Sequence, residues 1–472
     1  MTQGLSDARL APFADHPDLV LAIEEAVANH RALRGRWSDA LAGSEAELSC
    51  RLQAGYVNFY TPETVNPYVA LAARGPWIVT SHGAVIHDSG GYGMLGLGHA
   101  PQKVVDAMSR PWVMANIMTP SFSQARFVEA LRDSIGETRG GCPFAAFQCL
   151  NSGSESVTLA CRISDMHAKR MTDAGGKHAG KRPVFMALEG AFHGRTDRPA
   201  HLSDSSRDTY HRLLASHHDE GGLVTVPPND VAALEAAFRR VAEEGHFVEL
   251  LALEPVQGEG NPGIACTREF YDAARRLTLE HDALLLIDSI QAGFRTTGHL
   301  SIVDYPGFED CQEPDLETYS KALNAGQYPL SVLGLSARAA AAFRAGTYGN
   351  TMTTNPRALE VGIAVLEAID ESMQKNVRAQ GEHILRRLEE LRERYPALIV
   401  RNQGTGLLCA SVIRDDVRVV GNDGLEQQCR RLGLGVIHGG ENALRFTPHF
   451  GITDAEVDLM VDVLDEVFAA NA

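Results

Sequence analysis

The sequence predicts an α/β protein whose mostly parallel central sheet has helices on both faces, joined by a smaller α+β domain. Between Phe147 and Leu335, short apolar runs alternate with amphipathic stretches of helix length. The runs Pro183–Leu188, Val248–Leu253, Ala283–Ile287 and Leu330–Leu335 are rich in β-branched or aliphatic residues, as expected of strands buried on both faces. After Asn355 the pattern changes to helical stretches over Ala358–Ile369 and about Lys375–Arg394, then alternating strands such as Ala443–Phe446 and a final helix. That change marks a separate α+β unit. A chain of 472 residues exceeds what one hydrophobic core usually organises. The expected division is residues 1–75 contributing to the small domain, 76–352 forming the large domain and 353–472 completing the small one.

The elements follow in order. Leu19 to Gln53 has apolar residues at helical spacing, including Leu21, Ile23, Ala26 and Val27. From about Trp77, short apolar runs are separated by glycine. Gly91-Tyr92-Gly93-Met94-Leu95-Gly96 matches G-x-G-x-x-G literally. A dinucleotide site needs that motif between a strand and a helix, with an acid about 20 residues later. Here Leu97 to Pro101 intervene before any helix and no acid lies near Ala115, so a dehydrogenase is disfavoured.

Phe147–Leu150 reads as a strand. Asn151-Ser152-Gly153-Ser154-Glu155-Ser156 follows, and then a helix with Val157, Ala160 and Cys161 on one face. Amides at such a helix start point outward, and the dipole favours an anion, so a phosphate fits. A helix capped by its own Ser152 or Ser154 fits the same residues. Asp288 ends the run Ala283–Ile287, at the carboxyl end of a strand, where open α/β sheets bind ligands. It reads either as a cap for the next turn or as a charge held for a ligand. Lys321 follows another apolar strand pattern and precedes a small Gly-containing loop. A desolvated amine there would have the free base that Schiff-base chemistry needs, although a lone lysine is usually a solvated charge.

Composition narrows the function classes. Apolar residues make up 44% of the chain and the formal charge is −17, spread along its length. Nucleic-acid binding needs a concentrated basic surface, and the cluster of Lys169, Arg170, Lys177, Lys181 and Arg182 lacks interleaved aromatics. It reads as a solvated loop. The eight cysteines (Cys50, Cys142, Cys149, Cys161, Cys266, Cys311, Cys409 and Cys429) include no C-x-x-C pair, so neither a disulfide framework nor a zinc motif is expected. Met1 to Leu21 carries Asp7, Arg9, Asp15 and Asp18 without an apolar leader core, and no run reaches the roughly 18 apolar residues of a membrane span. A cytoplasmic location is expected, with no metal, membrane or nucleic-acid partner.

An ordered series of motifs carries a resemblance. It comprises Asn151-Ser152-Gly153-Ser154-Glu155, Ala191-Phe192-His193-Gly194-Arg195-Thr196, Glu254-Pro255-Val256-Gln257-Gly258-Glu259, Asp288-Ser289-Ile290-Gln291-Ala292-Gly293-Phe294 and Ser320-Lys321-Ala322-Leu323. Thr351 with Asn355-Pro356, and Leu444-Arg445-Phe446-Thr447-Pro448, complete it. From about Gly75 to Ala469 the chain resembles the class III aminotransferases, the ornithine and 4-aminobutyrate type, with the fold type I of pyridoxal 5′-phosphate (PLP) enzymes. The resemblance implies that Lys321 forms the Schiff base with PLP and shuttles the proton, and that Asp288 pairs with the ring nitrogen. It implies Gln291 on the ring hydroxyl, Phe192 on the ring face with His193 beside it, and Gly153 and Ser154 on the phosphate. Thr351 would reach that phosphate from a neighbouring subunit, making a homodimer with shared active sites.

For substrates, the resemblance implies Arg195 on one carboxylate and Arg445 on the α-carboxylate of glutamate. Glu259 would cover Arg445 when another substrate is bound, and Tyr92 would line an ornithine-type pocket. The expected reaction moves an amino group from an ω-amino or diamino acid, such as ornithine or lysine, to a 2-oxo acid, 2-oxoglutarate foremost. Racemase, aminomutase, lyase or decarboxylase chemistry on the same scaffold, and a non-catalytic interaction role, stand as alternatives. Three places depart from the family pattern: Ser289 replaces a usual Glu, Thr353-Thr354 a Gly-Gly pair, and Asp197-Arg198-Pro199 small or apolar residues.

Overall fold

The computed structural model describes residues 2–218 and 222–472. They divide into two compact units, one built from the described residues up to Gln102 with Lys375–Ala472, the other from those of Lys103–Gln374.

The first unit opens with the strands β1 (Ala70–Arg74), β2 (Trp77–Thr80) and β3 (Val85–Asp88). The second contains β4 (Ala146–Leu150), β5 (Arg182–Leu188), β6 (Leu223–Val226), β7 (His246–Leu253), β8 (Leu284–Asp288), β9 (Leu316–Tyr319) and β10 (Ser331–Leu335). The first unit is completed by β11 (Ile399–Thr405), β12 (Leu408–Ile413), β13 (Leu434–Gly435), β14 (Ile437–Gly439) and β15 (Ala443–Phe446).

In the second unit one sheet has the order β4-β10-β9-β8-β7-β5-β6. The pairs β9–β8, β8–β7, β7–β5 and β5–β6 are parallel. Every residue of β8 is buried, as are all of β7 beyond His246. Helices Gly153–Thr172, Val231–Glu243 and Arg268–Glu280 pack on this sheet. One expectation is corrected. The strand expected over Leu330–Leu335 runs antiparallel to both neighbours. The short segment between β9 and β10 contains only the four-residue helix Lys321–Asn324 and a turn at Ala325, with φ 49°. A parallel return needs a longer crossover.

The first unit carries two four-stranded sheets, β1-β2-β3-β13 and β11-β12-β15-β14. The boundaries differ from those expected at 75/76 and 352/353. Trp77–Asp88 stays with the C-terminal residues because β3 pairs with β13, Leu434 opposite His87. Helix Pro356–Leu366 stays with the central sheet's unit, where it packs on helix Phe122–Ser134 and Ser123 Oγ donates to Glu360 Oε1 at 2.6 Å. The helix expected from Leu19 to Gln53 is two, Pro17–Leu41 and Glu45–Gln53. Ser44 starts the second with a capping box to Glu47.

The turn Gly91–Gly93 is a single 3₁₀ turn, and the next helix begins only at Gln102, so the glycine motif lacks the strand-to-helix setting of a nucleotide site. Among the described residues no helix is long and apolar enough to cross a membrane.

Candidate active site

The carboxyl ends of β8 and β9 lie side by side, with Asp288 opposite Thr318 and the Ser289 amide donating to the Thr318 carbonyl at 3.0 Å. This register brings residues about 30 positions apart in sequence to one sheet edge. Lys321 Nζ donates to Gln291 Oε1. Asp288 is 4% exposed, and its two oxygens have different partners. One oxygen, Oδ1, accepts from the Ile290 amide at 3.1 Å and caps the turn. The other, Oδ2, faces His193 Nδ1 at 2.9 Å.

The third element arrives through Gly153. A Cβ there would stand 2.6 Å from Ile290 Cδ1, so glycine lets the helix start approach the turn carrying Asp288 and Gln291 without displacing the Ile290 side chain. Thr318 Oγ1 donates to Ser156 Oγ at 2.6 Å, and Ser331 Oγ to the Ser152 carbonyl at 2.7 Å. Both fix the first turn of the helix against β9 and β10. Ser152 caps the helix by accepting from the Glu155 amide at 3.3 Å. Self-capping leaves the amides of Gly153 and Ser154 in the first turn, where a helix supplies no acceptors. Gly194 closes on the same tip. Its φ is +116°, and a Cβ would stand 2.5 Å from Ser154 Oγ.

Electrostatics tighten this cluster. Burial opposes a charged imidazole, yet the hydrogen bond and charge of Asp288 hold His193 above its ordinary value. The His193–Asp288 hydrogen bond fixes the orientation of both buried side chains. Glu254 is the residue that the sequence reading missed, although it begins the motif ending at Glu259. Burial pushes its carboxyl up to about 7, with His193 pulling the other way. It accepts from the amides of Gly258 at 2.9 Å and Phe192 at 3.2 Å, joining two loops that both border Asp288 and Gln291. Gly258 itself has no room for a side chain, since its Cβ would stand 2.4 Å from Gln291 Cγ.

The remaining expected residues are placed as follows. Phe192 is half-buried, with the Arg195 guanidinium carbon 4.7 Å from its ring centroid. Arg195 pairs with Glu259 at 3.3 Å, both partly exposed. Thr351 is exposed, and its carbonyl accepts from Asn116 Nδ2 at 3.4 Å. Arg445 belongs to the other unit, buried on β15 opposite Ala410 and Ile437. Tyr92 also belongs to that unit, in the 3₁₀ turn, and its side chain lies outside what the structure describes.

Two of the departures from the family pattern have partners in this chain, and the third shows in the backbone. Ser289 Oγ donates to Glu317 Oε1 at 2.6 Å, and Glu317 also accepts from Ser301 Oγ at 2.6 Å and the Ile302 amide at 3.0 Å. A glutamate at 289 would meet that buried carboxyl. Arg198 pairs with buried Glu249 on β7 and with Asp165 at 2.8 Å. Thr354 has φ +59°, a left-handed conformation that is an outlier for a β-branched residue. That backbone explains why glycine suits the position.

Together these groups offer an amine beside a carboxamide, a buried carboxylate oriented by an imidazole, and a helix start ready for an anion. Two buried nitrogens at the centre, His193 Nε2 and Gln291 Nε2, have no hydrogen-bond partner. The set fits a phosphorylated heteroaromatic aldehyde, and the unpaired Gln291 amide suits an acceptor oxygen on its ring.

The comparisons with known proteins agree. The model of the family described as Aminotransferase class-III matches residues 59–468. The chain is 30% identical over 426 residues, 88% of its own length and 99% of the relative's, to an acetylornithine aminotransferase of Neisseria meningitidis serogroup A. Among solved structures, the ornithine aminotransferase of Toxoplasma gondii superposes with a TM-score of 0.76 at 23% identity, covering 92% of this chain and 97% of that one. An S-selective transaminase from Bacillus megaterium superposes at 0.74 with 19% identity, covering 91% and 99%. The fold and the site thus define a fold type I PLP enzyme. The chain belongs to the class III aminotransferase family and is a PLP-dependent transaminase.

Proposed function

We propose that this transaminase takes the terminal amino group of ornithine, lysine or an N-acylated ornithine and passes it to 2-oxoglutarate. The observation that carries the reading is the meeting of Lys321 with Gln291, and of Asp288 with His193, beside the helix start at Gly153. The relatives named acetylornithine aminotransferase support the donor class.

PLP, when bound, supplies an aldehyde that carries the amino group and a ring that withdraws electrons from the substrate carbon. Lys321 would hold the aldehyde carbon, Asp288 the ring nitrogen, Gln291 the ring hydroxyl and Phe192 a ring face. The amides of Gly153 and Ser154 would hold the phosphate. Once the incoming substrate amine has displaced it from the aldehyde carbon, the freed Lys321 amine would take the proton from the substrate carbon and return it to the carbon on the far side of the nitrogen, two atoms away. Gln291, already bonded to its amine, keeps it in reach of both positions. His193 fixes Asp288 through its Oδ2 oxygen. Arg195 and Arg445 would bind substrate carboxylates.

A homodimer completes the reading, with Thr351 of a second copy reaching the phosphate. Its support is the apolar surface beside Thr351: Val113 (68% exposed), Ile117 (63%), Met118 (83%), Phe122 (87%) and Met352 (58%). A monomer seldom leaves so much large apolar surface exposed in one segment. A cytoplasmic location accords with the composition.

The test is a screen of amino donors against 2-oxoglutarate with the PLP-loaded protein. Glutamate formation with ornithine-type donors is expected, and Arg445→Ala should weaken use of 2-oxoglutarate more than use of an ω-amine donor. Turnover of α-amino acids alone, or equal losses for both substrates, would contradict the assignment.

A further inference from the structure

His87, His449 and Glu456 lie within the first unit and belong to no motif used above. They form the group of metal-ligating side chains found among the described residues, with one ligand atom from each lying within 4.8 Å of the others. His87 is on β3, His449 is in the loop after β15, and Glu456 is in the first turn of helix Asp454–Ala469. His449 Nε2 is 3.0 Å and His87 Nε2 3.2 Å from one oxygen, Glu456 Oε1.

We propose that these three side chains form a divalent-cation site of the zinc class, with His87 Nε2, His449 Nε2 and Glu456 Oε1 as ligands and a solvent molecule as the fourth. Ligand atoms about 2.0–2.1 Å from a tetrahedral zinc stand about 3.3 Å apart. The two nitrogen–oxygen separations are within a few tenths of an ångström of that edge, and the histidine ligand atoms, within 4.8 Å of each other, close toward it when the ion binds.

The outer contacts are those a metal site needs. His87 Nδ1 is 3.0 Å from Ser89 Oγ. A proton on Nδ1 bonded to that hydroxyl leaves the Nε2 lone pair facing the carboxylate, the tautomer that binds metal. The second oxygen of Glu456 is fully occupied by Thr453, whose amide and hydroxyl each donate to Oε2 at 2.8 Å. Oε1 alone is thereby presented to the histidines. The edge of Trp77 packs against His87, with centroids 5.1 Å apart at 79°, fixing the ring. His87 and Glu456 are buried while the His449 side chain is 16% exposed, leaving one side through which an ion and its solvent ligand can enter.

The alternative is a cluster held by protons alone, and metal binding separates the two. The PLP-loaded protein is treated with a chelator, dialysed, and titrated with Zn²⁺ against a competing indicator, with metal content measured by elemental analysis. Cobalt(II) replaces zinc in a parallel spectrum. One ion per chain is expected, with the cobalt absorption of a four-coordinate ion. His449→Gln keeps an N–H donor for Glu456 but has no imidazole lone pair, and should weaken binding at least 100-fold without loss of fold by circular dichroism. Ser89→Ala should weaken it about 10–100-fold, as removal of an outer partner does. Wild-type protein that retains no zinc after dialysis overturns the proposal whatever the variants do. So does unchanged affinity in His449→Gln.

Discussion

Replacing Glu317 with glutamine tests how the unit around Asp288 is held together. Glu317 is fully buried on β9 and receives Ser289 Oγ, Ser301 Oγ and the Ile302 amide. Burial pushes its carboxyl from an ordinary 4.5 up to about 7. The folded state therefore binds the proton more tightly than the unfolded chain. The corresponding stability is fully present below about pH 4.5, is lost as pH rises to about 7, and is constant above. At about 1.4 kcal/mol per pH unit, that window amounts to about 3 kcal/mol. Glu317→Gln mimics the protonated form at every pH, so it lacks this dependence. The assay is calorimetry of the PLP-loaded protein and variant at one scan rate between pH 5 and 8. Glu249 and Glu254, also pushed up to about 7, titrate in both proteins and cancel in the difference. About 2.5 kcal/mol of that window lies between pH 5 and 8, so the gap in Tm between variant and wild type should move by about 5 °C in the variant's favour across that range, taking about 2 °C per kcal/mol for a unit this large. Parallel Tm curves would refute the buried-carboxyl argument.

Other predictions follow from the same contacts. Gly194→Ala places a methyl 2.5 Å from Ser154 Oγ and should raise the Kd for PLP at least tenfold, read by fluorescence titration, while leaving the far-ultraviolet circular dichroism unchanged. Arg198→Ala leaves Glu249 buried without its cation and should cost about 3 kcal/mol, more at pH 8 than at pH 5 because Glu249 is already raised; thermal melts at the two pH values check both sign and size. Thr354→Gly removes a β-branched residue from φ +59° and should raise stability by about 1 kcal/mol, measured as a higher Tm.

Much of this was legible in the sequence because the sheet's strands are buried on both faces and read as apolar runs. Asp288 could be placed at a strand end, and Gly153 at a helix start, from pattern alone. Their proximity could not, since it depends on β8 lying beside β9, and strand order is not written in any one segment. The direction of β10 was missed for a related reason: the run Leu330–Leu335 is equally apolar in either direction, and only the short connection decides. β6 is a four-residue strand whose residues are mostly half-buried, too short a run to stand out. Glu254 and Glu317 look like ordinary surface acids in sequence. Their roles arise from donors contributed by distant loops: Phe192 and Gly258 for one, Ser301 and Ile302 for the other. The one advance signal for Glu317 was a charged residue within an apolar strand, paired with the unusual Ser289.

The central claim is that Lys321, beside Asp288 and the helix start at Gly153, is the amine that holds PLP. The direct measurement is borohydride reduction of the PLP-loaded protein, followed by proteolysis and mass spectrometry of the labelled peptide. The pyridoxyl label is expected on Lys321, and Lys321→Ala should carry none. A label on another lysine, or unlabelled protein after saturation with PLP, would contradict the account.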